Sequence, residues 1–181
     1  MKRVLVPLAP GFEELEAVTI VDILRRAGLE VVVASQAGGA VTGSHGIRLE
    51  ADAALADVVD HDFDLVALPG GMPGADHLKR DPRIAGIVRR LHDAGRPVAA
   101  ICAAPMVLDA AGVLEGRRAT SYPGFLEGAA KATVVDEPVV ADRGVITSRG
   151  PGTALDFALT LVAELLGQPA REAVESRLER A

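Results

Sequence analysis

Short runs of valine, leucine and isoleucine alternate along this chain with segments in which apolar residues recur every three or four positions. The runs are continuous rather than alternating, as is typical of strands buried on both faces of a parallel sheet. They occupy residues 3–9, 30–35, 64–68 and 97–102. Strands of this kind, separated by helical segments, predict an α/β protein in which helices cover both faces of an open sheet.

The segments between these strands predict helices. The first carries one apolar stripe at helical spacing and ends near Gly28, and the stripe consists of Ala17, Ile20, Val21 and Leu24. The next spans residues 81–94, with Pro82 just inside its start and Gly95 just past its end. A third helix covers residues 105–112. Together with the strands, these helices predict a three-layer sandwich.

A hairpin is predicted at the edge of the sheet. Residues 119–122 have the pattern of a short strand, followed by a turn at Pro123 and Gly124. Residues 133–148 place Gly144 and the two residues before it between two valine-bearing runs, which is typical of a hairpin.

The chain is expected to end in two helices. Thr153 is expected to cap the first, whose apolar face consists of Leu155, Leu159, Val162 and Leu166. Gly167 ends that helix, and a last amphipathic helix begins near Pro169. The glycine-rich stretch at residues 35–46 predicts a loop or a small hairpin.

Length and composition limit the class of protein. The chain has 181 residues, 49% hydrophobic and 24% charged, and we expect a single domain over residues 1–181. A formal net charge of −6 argues against binding to a nucleic acid backbone. The most apolar stretch, residues 97–114, contains Pro105 and Asp109 and therefore predicts a buried core rather than a membrane span. With one cysteine and no export signal, the chain is expected in the reducing cytoplasm.

Cys102 is the only cysteine, and it stands where an apolar strand gives way to helix-compatible residues. In open α/β sheets ligands bind at the carboxyl edge, where this side chain is expected to lie. The dipole and free N–H groups of the following helix favour the thiolate, which is the nucleophilic form. The alternative is a buried, unreactive thiol, as in most free cysteines. The spacing alone leaves both interpretations open.

Three acids, Glu13, Glu14 and Glu16, follow the first strand directly. Acids at a helix start gain about 0.3–1 kcal/mol from the helix dipole, so solvated carboxylates explain at least two of the three without any function. A carboxyl group that projects from the sheet edge can instead approach Cys102 as a hydrogen-bond partner or general base. The spacing does not choose between these interpretations.

Two glycine-rich turns are expected at the same edge. Gly70 and Gly71 allow the backbone to approach a ligand with its N–H groups, which makes this turn a candidate oxyanion hole. The segment at residues 147–153, TSRGPGT, is a candidate wall of the same pocket. The alternatives are a plain strand-to-helix turn and an ordinary helix cap.

The four histidines are scattered without metal-ligand spacing, so no metal site is predicted. His61 and His92 lie in polar surroundings and are expected at the surface. His45 and His77 lie in glycine-rich loops that are candidates to border a pocket.

Four motifs occur in order along the chain: PGFEELEA, LPGG, AAICAAP and TSRGPGT. Together they resemble the DJ-1/ThiJ/PfpI superfamily, especially its parkinsonism-associated protein deglycase branch. The resemblance covers nearly the whole chain, and four ordered motifs are far more specific than any one of them. It implies a flavodoxin-like α/β/α sandwich with a mostly parallel sheet and a nucleophile elbow at Cys102. It therefore favours the catalytic interpretation of this cysteine.

The resemblance also implies roles for other residues. Glu16 is the carboxyl group that hydrogen-bonds Cys102, which leaves Glu13 and Glu14 as surface acids. The oxyanion site consists of the backbone N–H groups of Gly70, Gly71 and Ala103. Members are usually homodimers with the pocket near the interface. Further candidates for the pocket or the interface are His45, Arg25, Arg26, Gly150 and Pro151.

Tyr122 departs from the best-known relatives, which have a histidine at this position. A phenol keeps its proton at neutral pH and cannot act as a near-neutral base, but it can donate a hydrogen bond to a substrate oxygen. Proton transfer is then expected to fall on Glu16. Bacterial relatives also lack this histidine, so the resemblance stands.

The resemblance implies a glyoxalase or deglycase that acts on methylglyoxal, glyoxal or their early adducts, with a stress-response role and without metal, glutathione or other cofactor. The alternative is a redox-sensing or chaperone-like homodimer whose Cys102 is oxidised to sulfinate. A PfpI-type peptidase or amidotransferase-like hydrolase ranks below both. Peptidase members place histidine directly after the cysteine, where this chain has Ala103.

Overall fold

The computed structural model of the chain describes residues 1–129 and 131–180. Its strands are β1 (Arg3–Leu8), β2 (Glu30–Ser35), β3 (Ala40–Thr42), β4 (Arg48–Glu50), β5 (Ala53–Ala54), β6 (Leu65–Leu68), β7 (Val98–Ile101), β8 (Arg118–Ala119), β9 (Thr133–Val134), β10 (Val139–Asp142) and β11 (Val145–Ser148). Its helices are α1 (Glu14–Arg26), α2 (Leu55–Val58), α3 (Gly74–Arg80), α4 (Pro82–Asp93), α5 (Pro105–Ala110), α6 (Ala154–Leu166) and α7 (Gln168–Glu175). The predicted domain extends to Ala181, which lies outside the described residues.

The central sheet has the strand order β10-β11-β7-β6-β1-β2-β5. β10 runs antiparallel to β11, whereas the other neighbouring strands pair in parallel. The carboxyl ends of β1, β2, β6, β7 and β11 therefore lie at one edge of the sheet. This mostly parallel sheet, flanked by helices, confirms the predicted flavodoxin-like α/β sandwich.

Each face of the sheet has its own layer of core residues. Along β1, Val4 and Val6 pack in a cluster with residues of α1 and α6, whereas Leu5 packs in a cluster with residues of α3 and α4. All three side chains are fully buried. Burial of an aliphatic side chain of this size contributes about 1.5–3 kcal/mol, so the two layers fix the strands whose ends carry the candidate site.

The four strands predicted from apolar runs are confirmed, with small differences at their ends. β7 stops at Ile101 because Cys102 has a φ of 64°, which takes the chain out of the extended conformation. The hairpin of β10 and β11 is also confirmed. It turns through Arg143 and Gly144, both with positive φ, as the two-residue turn of a twisted hairpin requires.

The strand predicted over residues 119–122 is wrong. Only Arg118–Ala119 is extended, and it pairs in parallel with Thr133–Val134 in a separate two-stranded sheet. The predicted hairpin over residues 133–148 was therefore too long, because its first residues belong to this small sheet. The glycine-rich stretch after β2 leads into the small β3–β4 hairpin.

The predicted apolar face of α6 is rotated in the structure. Leu159 and Val162 are buried as expected, but Phe157 and Leu161 are buried as well, whereas Leu166 is 40% exposed. The helix packs against the sheet and also against its neighbour α1, so it buries a broader surface than a single stripe. Thr153 is the N-cap residue of α6, as predicted, but its side chain makes no cap hydrogen bond to the helix. The Thr153 hydroxyl donates instead to the Gly150 carbonyl at 2.9 Å.

Candidate active site

Cys102 is the first residue after β7, at the carboxyl edge of the sheet, and it is 9% exposed. Its left-handed φ is uncommon outside glycine and marks a constrained position. The backbone is held on both sides, because its N–H donates to the Ser148 carbonyl and its carbonyl accepts the Tyr122 N–H, each at 2.9 Å. The result is the sharp strand-to-helix turn of a nucleophile elbow.

Glu16 lies in the first turn of α1 and is fully buried. Its Oε2 atom accepts the Gly70 N–H at 2.8 Å. Its Oε1 atom is buried and makes no hydrogen bond within the described residues, and the Cys102 side chain lies next to this carboxyl group. A β-carbon on Gly70 would lie 2.7 Å from Cys102 Cβ and 2.8 Å from Glu16 Oε2. Glycine is therefore required for the close approach of the three residues.

The pair of Glu16 and Cys102 has strongly perturbed protonation. Burial raises the pKa of Glu16 to about 7, although the hydrogen bonds from Gly70 and Cys102 act to lower it. Burial, followed by the charge of Glu16, raises the pKa of Cys102 to about 12, although the N–H groups of Ala103 and Gly71 act to lower it. Around neutral pH the Cys102 thiol therefore keeps its proton, whereas the Glu16 carboxyl group is partly protonated.

The direction of the Cys102 shift contradicts the expectation that its position favours the thiolate. The helix that follows, α5, has only six residues and begins with Pro105, which has no N–H to offer. Its dipole is therefore too weak to outweigh burial next to a carboxylate. The structure therefore favours the thiol form of Cys102.

Two of the three predicted oxyanion donors act on the sulfur. The backbone N–H groups of Gly71 and Ala103 lie near enough to Cys102 to lower the pKa of its thiol. The prediction for Gly70 is wrong, because its N–H is already engaged by Glu16. Gly71 has a φ of 88°, and a β-carbon there would lie 2.3 Å from the Glu13 nitrogen, so this position also requires glycine.

Glu13 and Glu14 are not the solvated surface acids that were expected. Glu13 caps α1, since its Oε2 atom accepts the Glu16 N–H at 2.7 Å. Glu14 is only 4% exposed and accepts hydrogen bonds from the backbone N–H groups of His45 and Ile47. The His45 ring and the Ser44 hydroxyl also contact it. Although burial opposes ionisation, these hydrogen bonds hold the pKa of Glu14 at about 2.

Glu13, Glu14 and His45 also place donor atoms within 4.8 Å of one another, a spacing that suits a metal ion. Both Glu14 oxygens, however, already have partners in the loop that follows β3: Oε1 accepts two backbone N–H groups, and Oε2 contacts the Ser44 hydroxyl and the His45 ring. The group is therefore explained as the anchor of this loop to the start of α1. The absence of a resident metal stays a prediction.

Replacing Glu14 with Gln is expected to destabilise the protein at pH 7 by about 1.5–3 kcal/mol, the contribution of hydrogen bonds to a charged group. The folded-state pKa lies below the ordinary value of 4.5, so this stabilisation is present above pH 4.5 and is lost as the pH falls towards 2. Urea unfolding of both proteins from pH 7 to pH 3.5 tests this. The difference must shrink below pH 4.5, and a constant difference contradicts it.

The matched control for this variant is Asp22→Asn. Asp22 lies on the exposed side of α1 and pairs only with Arg26, one turn later, at 2.7 Å. Exposed pairs of this kind contribute about 0.3–0.5 kcal/mol, so the control is expected to stay within that range at every pH.

The remaining predicted residues divide into two groups. Tyr122 is half exposed, and a β-carbon on Gly150 would lie 3.3 Å from its ring, so the two residues are neighbours. The link of Tyr122 to Cys102 is through the backbone, since its N–H donates to the Cys102 carbonyl. Pro151 lines the same shallow depression of about 400 Å³. Arg25 donates to Asp52 at 2.8 Å and lines a separate depression of about 260 Å³.

The structure thus does not bring Arg25 or Arg26 to Cys102. His45 is exposed, and its ring contacts Glu14 at the start of α1. The prediction that His77 lies in a loop is wrong, because this residue lies in α3. Its backbone carbonyl accepts a hydrogen bond from the Gln36 side-chain amide. His92 is half-buried and contacts Arg117 rather than lying free at the surface.

Two structural roles were not predicted from the sequence: Glu13 caps α1, and the Ser148 carbonyl accepts the Cys102 N–H. A signal for Glu13 was present, because an acid three residues before another acid at a helix start has the spacing of a capping box. Ser148 acts through its carbonyl, which any residue provides, so no side-chain signal marks it.

The described helices include none long and apolar enough to cross a membrane.

A parallel α/β sheet with a cysteine in a left-handed turn beside a buried glutamate defines an α/β protein with a nucleophile elbow. The sequence profile of the DJ-1/PfpI family matches residues 2–164. The chain belongs to the DJ-1/PfpI family, as its four motifs indicated.

Similar proteins extend over most of the chain. Protein DJ-1 homolog A of Arabidopsis thaliana is 45% identical over 183 residues, which cover 98% of this chain. A protein named deglycase from Pyrococcus abyssi is 40% identical over 152 residues, covering 83% of this chain and 91% of its own length. The crystal structure of Drosophila melanogaster DJ-1beta superposes with a TM-score of 0.95 at 41% identity, covering 99% of this chain and 98% of the other. The chain spans 46% and 39% of the lengths of two Arabidopsis relatives.

Proposed function

We propose that this protein is a cysteine-dependent, cofactor-independent glyoxalase and deglycase that acts on methylglyoxal, glyoxal or their early adducts with thiols and amines. The observation that carries the proposal is the buried Glu16 carboxyl group beside Cys102, both packed against Gly70 at the turn that follows β7. A thiol needs a base to become a nucleophile, and a carboxyl group with a pKa of about 7 is matched to this task.

In the first step, Glu16 accepts the thiol proton while the Cys102 sulfur bonds to the aldehyde carbon. The carbonyl electron pair moves to oxygen, where the Gly71 and Ala103 N–H groups stabilise the negative charge. The oxyanion then takes the proton from Glu16, which gives a hemithioacetal and returns Glu16 to its ionised form. For an early adduct, the sulfur displaces the amine or thiol carrier from the carbon that it attacks, and the carrier leaves with the proton that Glu16 took from Cys102.

In the second step, Glu16 removes the proton from the former aldehyde carbon of the methylglyoxal adduct, and an enediol forms. Return of this proton to the neighbouring carbon gives a lactoyl thioester on Cys102. Water then displaces the thiol, so methylglyoxal and one water become lactate and a proton. In this mechanism the Tyr122 hydroxyl donates a hydrogen bond to the second substrate oxygen.

The relatives support this proposal at a coarser level. The Pyrococcus abyssi protein is named a deglycase, and it shares most of the length of this chain. Aldehyde removal of this kind is a response to metabolic or oxidative stress, and we place it in the cytoplasm. The proposed mechanism calls on no metal, glutathione or other cofactor.

The purified protein incubated with methylglyoxal, a metal chelator and no added thiol tests the proposal. We expect lactate to accumulate at a rate proportional to protein concentration. Alkylation with iodoacetamide, which finds one cysteine in this chain, is expected to remove the activity in proportion to the modified fraction. Lactate formation that persists after complete alkylation of Cys102 contradicts the mechanism.

A redox-sensing role is the second candidate, and the same contacts favour it. A sulfinate on Cys102 accepts hydrogen bonds from the Gly71 and Ala103 N–H groups and from protonated Glu16. Mass spectrometry after graded peroxide treatment tests it. Selective addition of two oxygens to Cys102, in a protein without aldehyde turnover, favours sensing; over-oxidation to the sulfonate without a stable sulfinate rules it out.

We also propose a homodimer. Three large apolar side chains are about half exposed around the start of α1 and the adjoining loop: Leu15, Val18 and Ile47. A second copy that covers this surface would lie next to Glu16 and the loop anchored by Glu14. Sedimentation equilibrium at micromolar concentration is expected to give twice the chain mass, and a monomer at all concentrations contradicts the proposal.

A further inference from the structure

Arg149 lies at the carboxyl end of β11, beside the turn that carries Cys102. It follows β11 directly, and Ser148 pairs with Ile101 in the parallel register of β11 and β7. The next pair in this register is therefore Arg149 and Cys102. Neighbouring strands are about 4.8 Å apart, so the Arg149 backbone begins roughly one strand spacing from the nucleophile.

Two depressions of the surface meet at Arg149. One has a volume of about 400 Å³ and is lined by Tyr122 and Pro151, and the other has a volume of about 540 Å³ and is lined by Glu127 and Asp136. Arg149 lines both, and it is the one lysine or arginine among the described residues that line them. A cation thus lies beside an apolar and aromatic wall, and its backbone adjoins the turn that carries Cys102.

The partner of Arg149 is easily exchanged. Its Nη1 atom pairs with Asp136, whose side chain is 80% exposed. Exposed ion pairs of this kind contribute about 0–1 kcal/mol, because water competes for both charges. A substrate carboxylate whose aldehyde end is already bound at Cys102 binds arginine more strongly than Asp136 does. Its bidentate, charge-assisted pair with the guanidinium adds to the bond at the aldehyde end. Asp136 therefore occupies a place that a substrate anion can take.

We propose that Arg149 binds an anionic group of the substrate, so that the preferred substrates are 2-oxoaldehydes that carry a carboxylate a few carbons from the aldehyde. This inference rests on the proposed function and names its substrate class. In this arrangement Cys102 attacks the aldehyde, Tyr122 contacts the intervening chain, and Asp136 competes with the substrate for the guanidinium. Arg149 is a specificity residue rather than a member of the proton-transfer pair.

Two probes with the same reactive end test the inference: 4,5-dioxopentanoate and its methyl ester. Addition of one water converts them to 2-hydroxyglutarate and the corresponding monoester. We expect the wild type to have a kcat/KM about tenfold or more higher for the acid, the size of one charge-assisted hydrogen bond. Arg149→Gln is expected to bring this ratio close to one, mainly through a higher KM for the acid, and Arg149→Lys is expected to restore part of it.

Asp136→Asn separates substrate binding from a merely structural role. Removal of the competing carboxylate is expected to lower KM for the acid, so the two variants shift the ratio in opposite directions. If the Arg149–Asp136 ion pair only stabilises the fold, loss of either partner shifts the acid-to-ester ratio of kcat/KM in the same direction. Arg143→Gln is the matched control, because Arg143 makes a similar ion pair with Asp142 at the far end of β11. It is expected to leave the ratio unchanged.

The outcomes distinguish this inference from the proposed function. Equal kcat/KM values of the wild type for the two probes, or shifts in the same direction for Arg149→Gln and Asp136→Asn, overturn the role of Arg149 while the aldehyde chemistry stands. Failure of the folded wild type to convert either probe or methylglyoxal overturns the proposed function itself.

Discussion

Replacement of Glu16 by glutamine is expected to lower kcat/KM for methylglyoxal by about 10²–10⁴-fold, the range typical of a general acid–base group. The amide has nearly the shape of the carboxyl group, and its oxygen can still accept the Gly70 N–H. It cannot take the proton of Cys102 or carry a proton between the two substrate carbons. Steady-state lactate formation at pH 7 measures the effect.

The same variant is expected to be more stable than the wild type at pH 8, by about 1–3 kcal/mol. The folded-state pKa of Glu16, about 7, lies above its ordinary value of 4.5. Folding is therefore most favourable below pH 4.5, and stability is lost as the pH rises through 7, because a charge must then be buried. The glutamine side chain has no charge to bury, so the denaturation midpoint of the variant should not show this fall.

The combination of lower activity and higher stability distinguishes a catalytic carboxyl group from a structural one. A structural Glu16 predicts that the glutamine variant loses stability along with activity. Asp22→Asn is again the control, since Asp22 lies on the same helix but at its exposed face. It is expected to change neither quantity, and a Glu16→Gln variant with wild-type kcat/KM contradicts the assignment of the base.

The fold was predictable because the apolar runs of a parallel sheet are continuous. β1, β2, β6 and β7 are buried along most of their length, so their hydrophobicity marks them without knowledge of their partners. The segment after α5 was less predictable. β8 and β9 have two residues each, and their pairing joins positions on either side of a long turn. A pattern of local hydrophobicity contains no information about such a contact.

The site was predictable in its members but not in its electrostatics. The strand-to-helix boundary and the four motifs located Cys102, and the motif resemblance selected Glu16 from three acids. The burial of Glu14 depends on a loop some thirty residues further along the chain, which wraps over it through His45. The pKa of Cys102 likewise depends on desolvation and on the charge of Glu16, which only the tertiary structure brings together.

Cys102→Ser is expected to lower lactate formation by at least about 10³-fold, because loss of a nucleophile removes the covalent route altogether. Serine preserves the size of the side chain, but its hydroxyl is a far weaker acid than a thiol, and Glu16 cannot deprotonate it near neutral pH. The neighbouring hydrogen bonds of the elbow are made by backbone groups and are expected to remain. Far-UV circular dichroism and the denaturation midpoint control for folding.

The most direct test of Cys102 as the nucleophile is therefore the yield of lactate from methylglyoxal by the wild type and by Cys102→Ser at equal concentrations of folded protein. We expect sustained lactate production by the wild type and a yield no higher than that of buffer alone by the serine variant. Equal yields from the two proteins would contradict it, and would show that Cys102 is not the nucleophile.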